Sequence, residues 1–200
     1  MIETLVSAFV TLFVVIDPVG LGPVFAALTS GMDAATRRKV GLEAGVIAFC
    51  LLTGTALFGG WLLDRLGISL AAFRIAGGLL LFAIAFEMVF ERRAPRETVQ
   101  PDRASAPIAA FPLAIPLMAG PGAITAMVLL AGRAGSVLAL VALIAIMAAI
   151  LVIAVLVFFS AARLERLLGA QGQAVLGRLL GVLLAALAVQ YVADGVRAFT

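Results

Sequence analysis

Two clusters of proline and glycine inside apolar runs are the residues of this sequence best suited to bind a ligand. The first cluster holds Asp17, Pro18, Gly20, Gly22 and Pro23, and the second holds Pro116, Gly120, Pro121 and Gly122. Proline removes a backbone donor and glycine loosens the chain beside it, so each cluster predicts an interrupted helix. Within a membrane, the carbonyls and amides freed in this way must face protein or water.

Such an interruption can bind charged groups. A helix that restarts after Pro18 or Pro23, or after Pro121, points its positive N-terminal end into the membrane, where it suits a carboxylate or another anion. The alternative is that these prolines only kink helices to improve their packing. Because the clusters recur at corresponding positions of two helices, we favour a binding site.

Asp17 admits two interpretations. It lies 12 residues after Leu5, which is about 18 Å along a helix. A carboxylate at that depth is costly and is typical of a ligand or a proton carrier. Asp before Pro is also a common helix start, with Asp as the N-cap. The second cluster has Ile115 at the matching position, so we expect an asymmetric site.

Arg74 and Arg178 are the two basic residues within apolar runs. Either can extend its side chain toward the nearer headgroups, and we favour this for Arg178. For Arg74 an ion pair with Asp17 stays open, since pairing would lower the cost of burying both charges. We expect Glu87 and Asp194, at helix ends, to be solvated.

The reactive side chains of an enzyme are scarce. The sequence has no histidine, a single cysteine (Cys50) and a single lysine (Lys39). An intrachain disulfide and a thiolate metal cluster are therefore excluded. We expect no catalytic residues, no metal site and no cofactor.

The composition identifies the elements that must position these residues. Hydrophobic residues make up 64% of the 200 positions and charged residues only 12%. A soluble chain of this size could not bury so much apolar surface. Runs of about 20 apolar residues can each cross a bilayer as a helix. Six runs qualify, namely Leu5–Leu28, Val40–Leu63, Ile68–Phe90, Pro107–Leu130, Ser136–Ser160 and Ala174–Val196. We therefore predict an all-α polytopic membrane protein of six transmembrane helices, the first and fourth of them broken.

The basic residues predict the orientation. Nine of them lie in the first, third and fifth loops, and three lie on the opposite side. The positive-inside rule assigns the nine to the cytoplasm, so both termini face outward. Within a bacterial inner membrane, Trp61 and Tyr191 are then expected to be interfacial anchors near the outer surface. The net charge of +3 is explained by topology and not by nucleic-acid binding.

The chain also predicts an internal repeat within a single membrane domain, residues 1–200. The repeats span 1–90 and 107–200, joined by a polar cytoplasmic linker, 91–106. Because each repeat has three helices, the second must enter the membrane from the opposite side, which makes the repeat inverted. Phe13, Pro18, Gly22 and Pro23 recur as Phe111, Pro116, Gly120 and Pro121, 98 positions later, and Arg74 and Gly77 recur as Arg178 and Gly181, 104 positions later.

Three segments carry a resemblance to a known family. They are Asp17-Pro18-Val19-Gly20-x-x-Pro23-x-Phe25, Arg74-x-x-Gly77-Gly78-x-Leu80-Leu81 and Pro112-x-x-x-Pro116-x-x-x-Gly120-Pro121-Gly122-Ala123-Ile124. These segments resemble the MarC family of integral membrane proteins, and the resemblance covers nearly the whole chain. It implies a six-helix inner-membrane protein grouped with neutral amino-acid transporters and, more distantly, with exporters of the lysine-exporter type.

The function expected from these features is secondary transport or export of a small zwitterionic solute, such as a neutral amino acid. The solute would bind at mid-membrane between the two broken helices, with H+ or Na+ as a candidate coupling ion. The alternative is a membrane factor or scaffold that transports nothing. A homo-oligomer is compatible with the sequence.

Overall fold

A computed structural model describes residues 2–90 and 108–199, except for the side chains of residues 2, 3, 161–168, 170 and 173. Within these ranges the regular structure is helical, which confirms the predicted all-α class. The predicted linker, 91–106, lies outside the described residues.

The first transmembrane span consists of two helices, α1 (Ile2–Ile16) and α2 (Pro18–Leu28), which meet at Asp17. Asp17 has left-handed dihedral angles, φ 48° and ψ 64°. Together the two helices contain the apolar stretch Thr4–Leu28, which is long enough to cross a bilayer. The predicted break in the first span is thus present at its aspartate.

The second and third spans are uninterrupted. Helix α3 covers Ala34–Arg65 and helix α4 covers Leu70–Val89. Each begins at a polar N-cap, because the carboxylate of Asp33 accepts hydrogen bonds from the first turn of α3 and the hydroxyl of Ser69 accepts one from the first turn of α4.

The fourth span is bent. An irregularly wound segment, Ala109–Met118, leads into helix α5 (Pro121–Gly132), and the two axes differ by 57°. If this pair is one span, the described residues provide six candidate spans, and five otherwise. Six agrees with the number that the apolar runs predict.

The last two spans follow one another in helix α6, Val137–Arg197. Its backbone departs from helical geometry at Gly169, where φ is 60° and ψ is 174°. The apolar stretches on either side of this break are Val137–Ser160, the fifth span, and Ala174–Arg197, the sixth span.

Glycines allow the third and sixth spans to pack closely and antiparallel. A Cβ on Gly78 would lie 2.7 Å from the Ala188 carbonyl oxygen, and a Cβ on Gly195 would lie 3.0 Å from that of Ala71. Small residues serve this purpose between helices in membranes. The third-span glycine Gly77 packs instead against Thr125 of α5.

One of the two predicted interfacial anchors is wrong. Trp61 is 59% exposed, and the guanidinium of Arg65 lies 5.6 Å from its ring centroid. Tyr191 is only 4% exposed and belongs to a core cluster with Val14 and Leu81. An aromatic ring near a helix end suits either a headgroup layer or a polar corner of the core, and here packing selects the core.

Candidate functional site

The first helix break is closed by its own aspartate. The Asp17 carboxylate accepts a hydrogen bond from the Gly20 N–H at 3.0 Å, which makes Asp17 the N-cap of α2 with Pro18 in the first position. A Cβ on Gly20 would collide with Asp17 Oδ2 and lie 2.7 Å from its Cγ. Of the two interpretations of Asp17, the capping role is therefore present.

The same break frees backbone acceptors inside the membrane. Pro18 has no N–H to donate to the carbonyl of Val14, and Pro23 has none for that of Val19. The chain otherwise continues directly, since the Asp17 N–H donates to the Phe13 carbonyl at 3.0 Å. The first break is thus short and rich in oxygen acceptors.

The second break is built differently. Phe111 and Ile115 have extended dihedral angles within the wound segment, and each precedes a proline, which disfavours the helical region for that residue. Helical turns persist through hydrogen bonds that join residues five positions apart, not four, such as the bond from the Ala119 N–H to the Ala114 carbonyl at 2.8 Å. As the sequence indicates, this break has no acidic residue at the position that matches Asp17.

Helix α5 starts immediately after this segment without a side-chain cap. Its N-cap is Gly120, where a Cβ would collide with the carbonyl oxygen of Pro116. Gly122 and Ala123 follow in the first turn and are buried. Because their N–H groups have no carbonyl one turn earlier in the helix, the end of α5 is a buried, positively polarised terminus.

The two breaks meet at one small cavity of about 60 Å³. Asp17 and Gly20 line it from the first break, and Leu117 lines it from the second. The α5 terminus lies beside the same cavity, because a Cβ on Gly122 would be 3.2 Å from both Val15 and Ile84, which also line it. The two breaks therefore approach each other at this cavity, although Pro116, Gly120, Pro121 and Gly122 do not line it.

Glu87 is a cavity residue that sequence reasoning missed. It lies in the last turn of α4 and lines the cavity that Asp17 also lines. The signal was present, since Ile84, Glu87 and Met88 share one helix face that also reaches the cavity. Its position at a helix end instead suggested simple solvation, and the side chain is indeed exposed on its other side.

The other predicted residues shape the breaks without lining the cavity. Pro18 and Gly22 are buried in the core, whereas Pro23, Pro116 and Pro121 are exposed. The contribution of the prolines is to remove backbone donors and to fix where each helix restarts.

The structure places Arg74 away from Asp17. The α4 residues that line the cavity together with Asp17 are Ile84, Glu87 and Met88, and Ile84 is ten residues, or about 15 Å, beyond Arg74. Arg74 belongs instead to a polar corner around Tyr191, together with Thr11 and Arg133. Its Nε is buried without a hydrogen-bond partner among the described residues.

No group of three or more His, Cys, Asp or Glu residues that could hold a metal ion occurs in the described part of the chain. The cavity is lined by two acidic residues, Asp17 and Glu87, and lies beside the N-terminus of α5. Carboxylates attract cations, and the helix terminus attracts anions.

Comparison with known proteins matches nearly the whole chain. Residues 2–200 match the family model described as MarC family integral membrane protein. A UPF0056 membrane protein of Archaeoglobus fulgidus is 39% identical over 197 residues, covering 94% of this chain and 90% of the relative. The UPF0056 membrane proteins YhcE of Escherichia coli and YvbG of Bacillus subtilis are 34% and 32% identical, covering 94% and 98% of this chain and 90% and 96% of the relatives. No solved structure matches.

Proposed function

The chain belongs to the MarC family of integral membrane proteins, and on that premise we propose that it is a secondary transporter or exporter of a small zwitterionic solute, such as a neutral amino acid. One observation carries this proposal. The two helix breaks, 98 positions apart in the sequence, meet at a single cavity with opposite electrostatic preferences on its two sides. Broken helices at the membrane midplane are the usual place for substrate and ion binding in secondary transporters.

Each end of a zwitterion has a matching group. An ammonium group would bind at Asp17 and Glu87, whose carboxylates accept hydrogen bonds from it. A carboxylate would bind at the N-terminus of α5, where Gly122 and Ala123 present their amides. Because Asp17 already caps the N-terminus of α2, the carboxylate of the solute would bind at α5 instead, and the solute would bind in one orientation.

The same acidic side would hold the coupling ion. A proton could be carried by Asp17 or Glu87, and Na+ would be bound by the same two carboxylates. In either case an acidic side chain at this depth gives the transport cycle a dependence on pH or on Na+.

The cavity is small for the proposed solute. Its volume of about 60 Å³ is well below the roughly 300–1,000 Å³ of ligand pockets. An amino acid therefore requires the breaks to open. Backbone that departs from regular α-helical geometry, as at Asp17 and along Ala109–Met118, is where such a movement costs least.

Contacts between spans support the inverted repeat. An inverted repeat relates the first span to the fourth, the second to the fifth and the third to the sixth. When the spans are exchanged in this way, the following set of span pairs stays the same. The contacts are Phe25–Phe158 (first and fifth), Gly59–Val128 (second and fourth), Thr11–Tyr191 (first and sixth), Gly77–Thr125 (third and fourth), Gly78–Ala188 (third and sixth), Val15–Gly122 (first and fourth) and Gly45–Val155 (second and fifth).

The distribution of basic residues supports termini on the outer side. Arg37, Arg38 and Lys39 lie together in the first turns of α3, and Arg37 and Arg38 stack over rings of α2 and the fifth span. The opposite end of α3 has only Arg65. By the positive-inside rule the start of α3 is cytoplasmic.

Flux of labelled small neutral amino acids in proteoliposomes, with and without a proton or Na+ gradient, tests the proposal. The informative variant is Asp17→Asn, because asparagine caps a helix as well as aspartate does but carries no charge. We expect gradient-driven flux in the wild type and its loss in this variant. The matched control is Asp33→Asn, which makes the same change at a cap outside the membrane and should leave flux intact.

A wild-type protein that neither moves nor binds any small neutral amino acid would refute the substrate. If it then purified with partner proteins and no bound solute, a non-transporting membrane factor would be the better description. Equal loss of flux in the Asp17 and Asp33 variants would refute the role given to the buried charge.

A further inference from the structure

A groove separate from the two breaks runs between α1 and the sixth span. Its volume of about 610 Å³ is within the range of ligand pockets, roughly 300–1,000 Å³. Its lining is mostly apolar, with polar groups from three residues. The lining residues are Val6, Ser7, Val10, Thr11, Val14, Leu183, Ala186, Leu187 and Gln190.

The walls of this groove are open to the membrane. Val6 and Leu183 are each 56% exposed and Val10 is 49% exposed, although all three lie on membrane-spanning helices. Such surfaces contact hydrocarbon, so an apolar occupant from the bilayer can enter sideways. From Val6 to Val14 the groove is about 12 Å long, close to the roughly 15 Å depth of one leaflet.

One end of the groove leads to cationic groups. The Gln190 amide donates to Asp194 Oδ1 at 2.7 Å, and Asp194 Oδ2 pairs with Arg133 at 3.1 Å. Arg74 lies on the same side, next to Tyr191 and Thr11. These groups comprise two arginines and one aspartate, so this end of the groove is complementary to an anion.

We propose that this groove binds one phospholipid, with an acyl chain along α1 and the sixth span and the phosphate at the end marked by Gln190 and Arg133. The apolar walls, the length of one leaflet and the positive end are the three features that a phospholipid matches together. This site does not depend on the proposed transport activity, and the Asp17 cavity is not part of it.

Native mass spectrometry of the full chain tests the proposal after detergent exchange has removed loosely bound lipid. The probe is phosphatidylglycerol in the reconstitution mixture, compared with diacylglycerol, which has the same chains without a phosphate. We expect one retained phosphatidylglycerol per chain and markedly less diacylglycerol. Equal retention of the two lipids would overturn the phosphate assignment.

A pair of matched variants tests the position. Leu183→Trp fills the groove, whereas Leu179→Trp makes the same change one turn earlier at a residue of similar exposure, 58% against 56%, outside the groove. We expect loss of the retained lipid in the first variant only. Lipid retained equally by both variants, or no retained lipid in the wild type, would overturn the proposal. Circular dichroism of both variants confirms that they are folded.

Discussion

Replacing Asp17 by alanine should destabilise the protein more than replacing it by asparagine. Alanine removes the acceptor of the Gly20 N–H, a partly buried hydrogen bond of 3.0 Å inside a membrane span. A buried donor without a partner costs about 1–3 kcal/mol, and loss of an N-cap alone costs about 0.5–2 kcal/mol. Asparagine retains the acceptor, and therefore most of the stability.

Thermal unfolding in detergent, followed by far-UV circular dichroism, measures this difference. In a chain of this size 1 kcal/mol corresponds to roughly 2–4 °C in Tm, so we expect Asp17→Ala to lower Tm by about 2–12 °C. Asp17→Asn should remain close to the wild type.

Asp33→Ala is the control for burial. Asp33 caps α3 through the Ala35 and Thr36 amides, both at 2.9 Å, at an exposed site where water can replace the lost bonds. We expect a smaller loss of Tm than for Asp17→Ala. Equal losses in the two alanine variants, or equal losses in Asp17→Ala and Asp17→Asn, would refute the reasoning that a membrane-buried amide needs this acceptor.

Two further predictions concern the second break and the first turn of α3. Gly120→Ala should lower stability by about 1–3 kcal/mol, because the new Cβ collides with the Pro116 carbonyl. The control is Gly60→Ala, whose new Cβ points into open space and which should be neutral or stabilising. The Tm values of the two variants test this difference. Hydrogen bonds from Thr36 lower the pKa of the Asp33 carboxyl. Its stabilising effect is therefore complete above the unfolded pKa, near 4, and is lost as the pH falls through the lower folded pKa. Tm measured against pH should show this acid-side loss in the wild type, and an unchanged profile in Asp33→Asn would contradict it.

The spans and the breaks could be predicted from sequence because each has a local cause. The length of an apolar run is set by the thickness of the bilayer, and a proline lacks its N–H wherever the rest of the chain lies. For the same reason the N-cap at Asp17 was foreseeable from the Asp-Pro pair alone.

The remaining features depend on which helix faces meet, and sequence periodicity in a nearly uniform apolar chain does not report this. Glu87 joins the cavity, and Arg74 lies far from it, because the close approach at Gly78 fixes how α4 packs on the sixth span. Tyr191 is buried for the same reason, beside Thr11. These outcomes are set by contacts between residues more than a hundred positions apart.

The aspartate that caps α2 also acts as a tethered competitor. Any free anion that approached this terminus would have to displace a carboxylate whose effective concentration is fixed by the chain itself. The α5 terminus, where Gly120 supplies no side chain, lacks such a competitor. An amino-acid ester keeps the amine of the amino acid but lacks its carboxylate. It would therefore lose its partner at the α5 terminus and keep its partner at Asp17. Comparing the inhibition caused by the ester with that caused by the matched acid would separate the two half-sites.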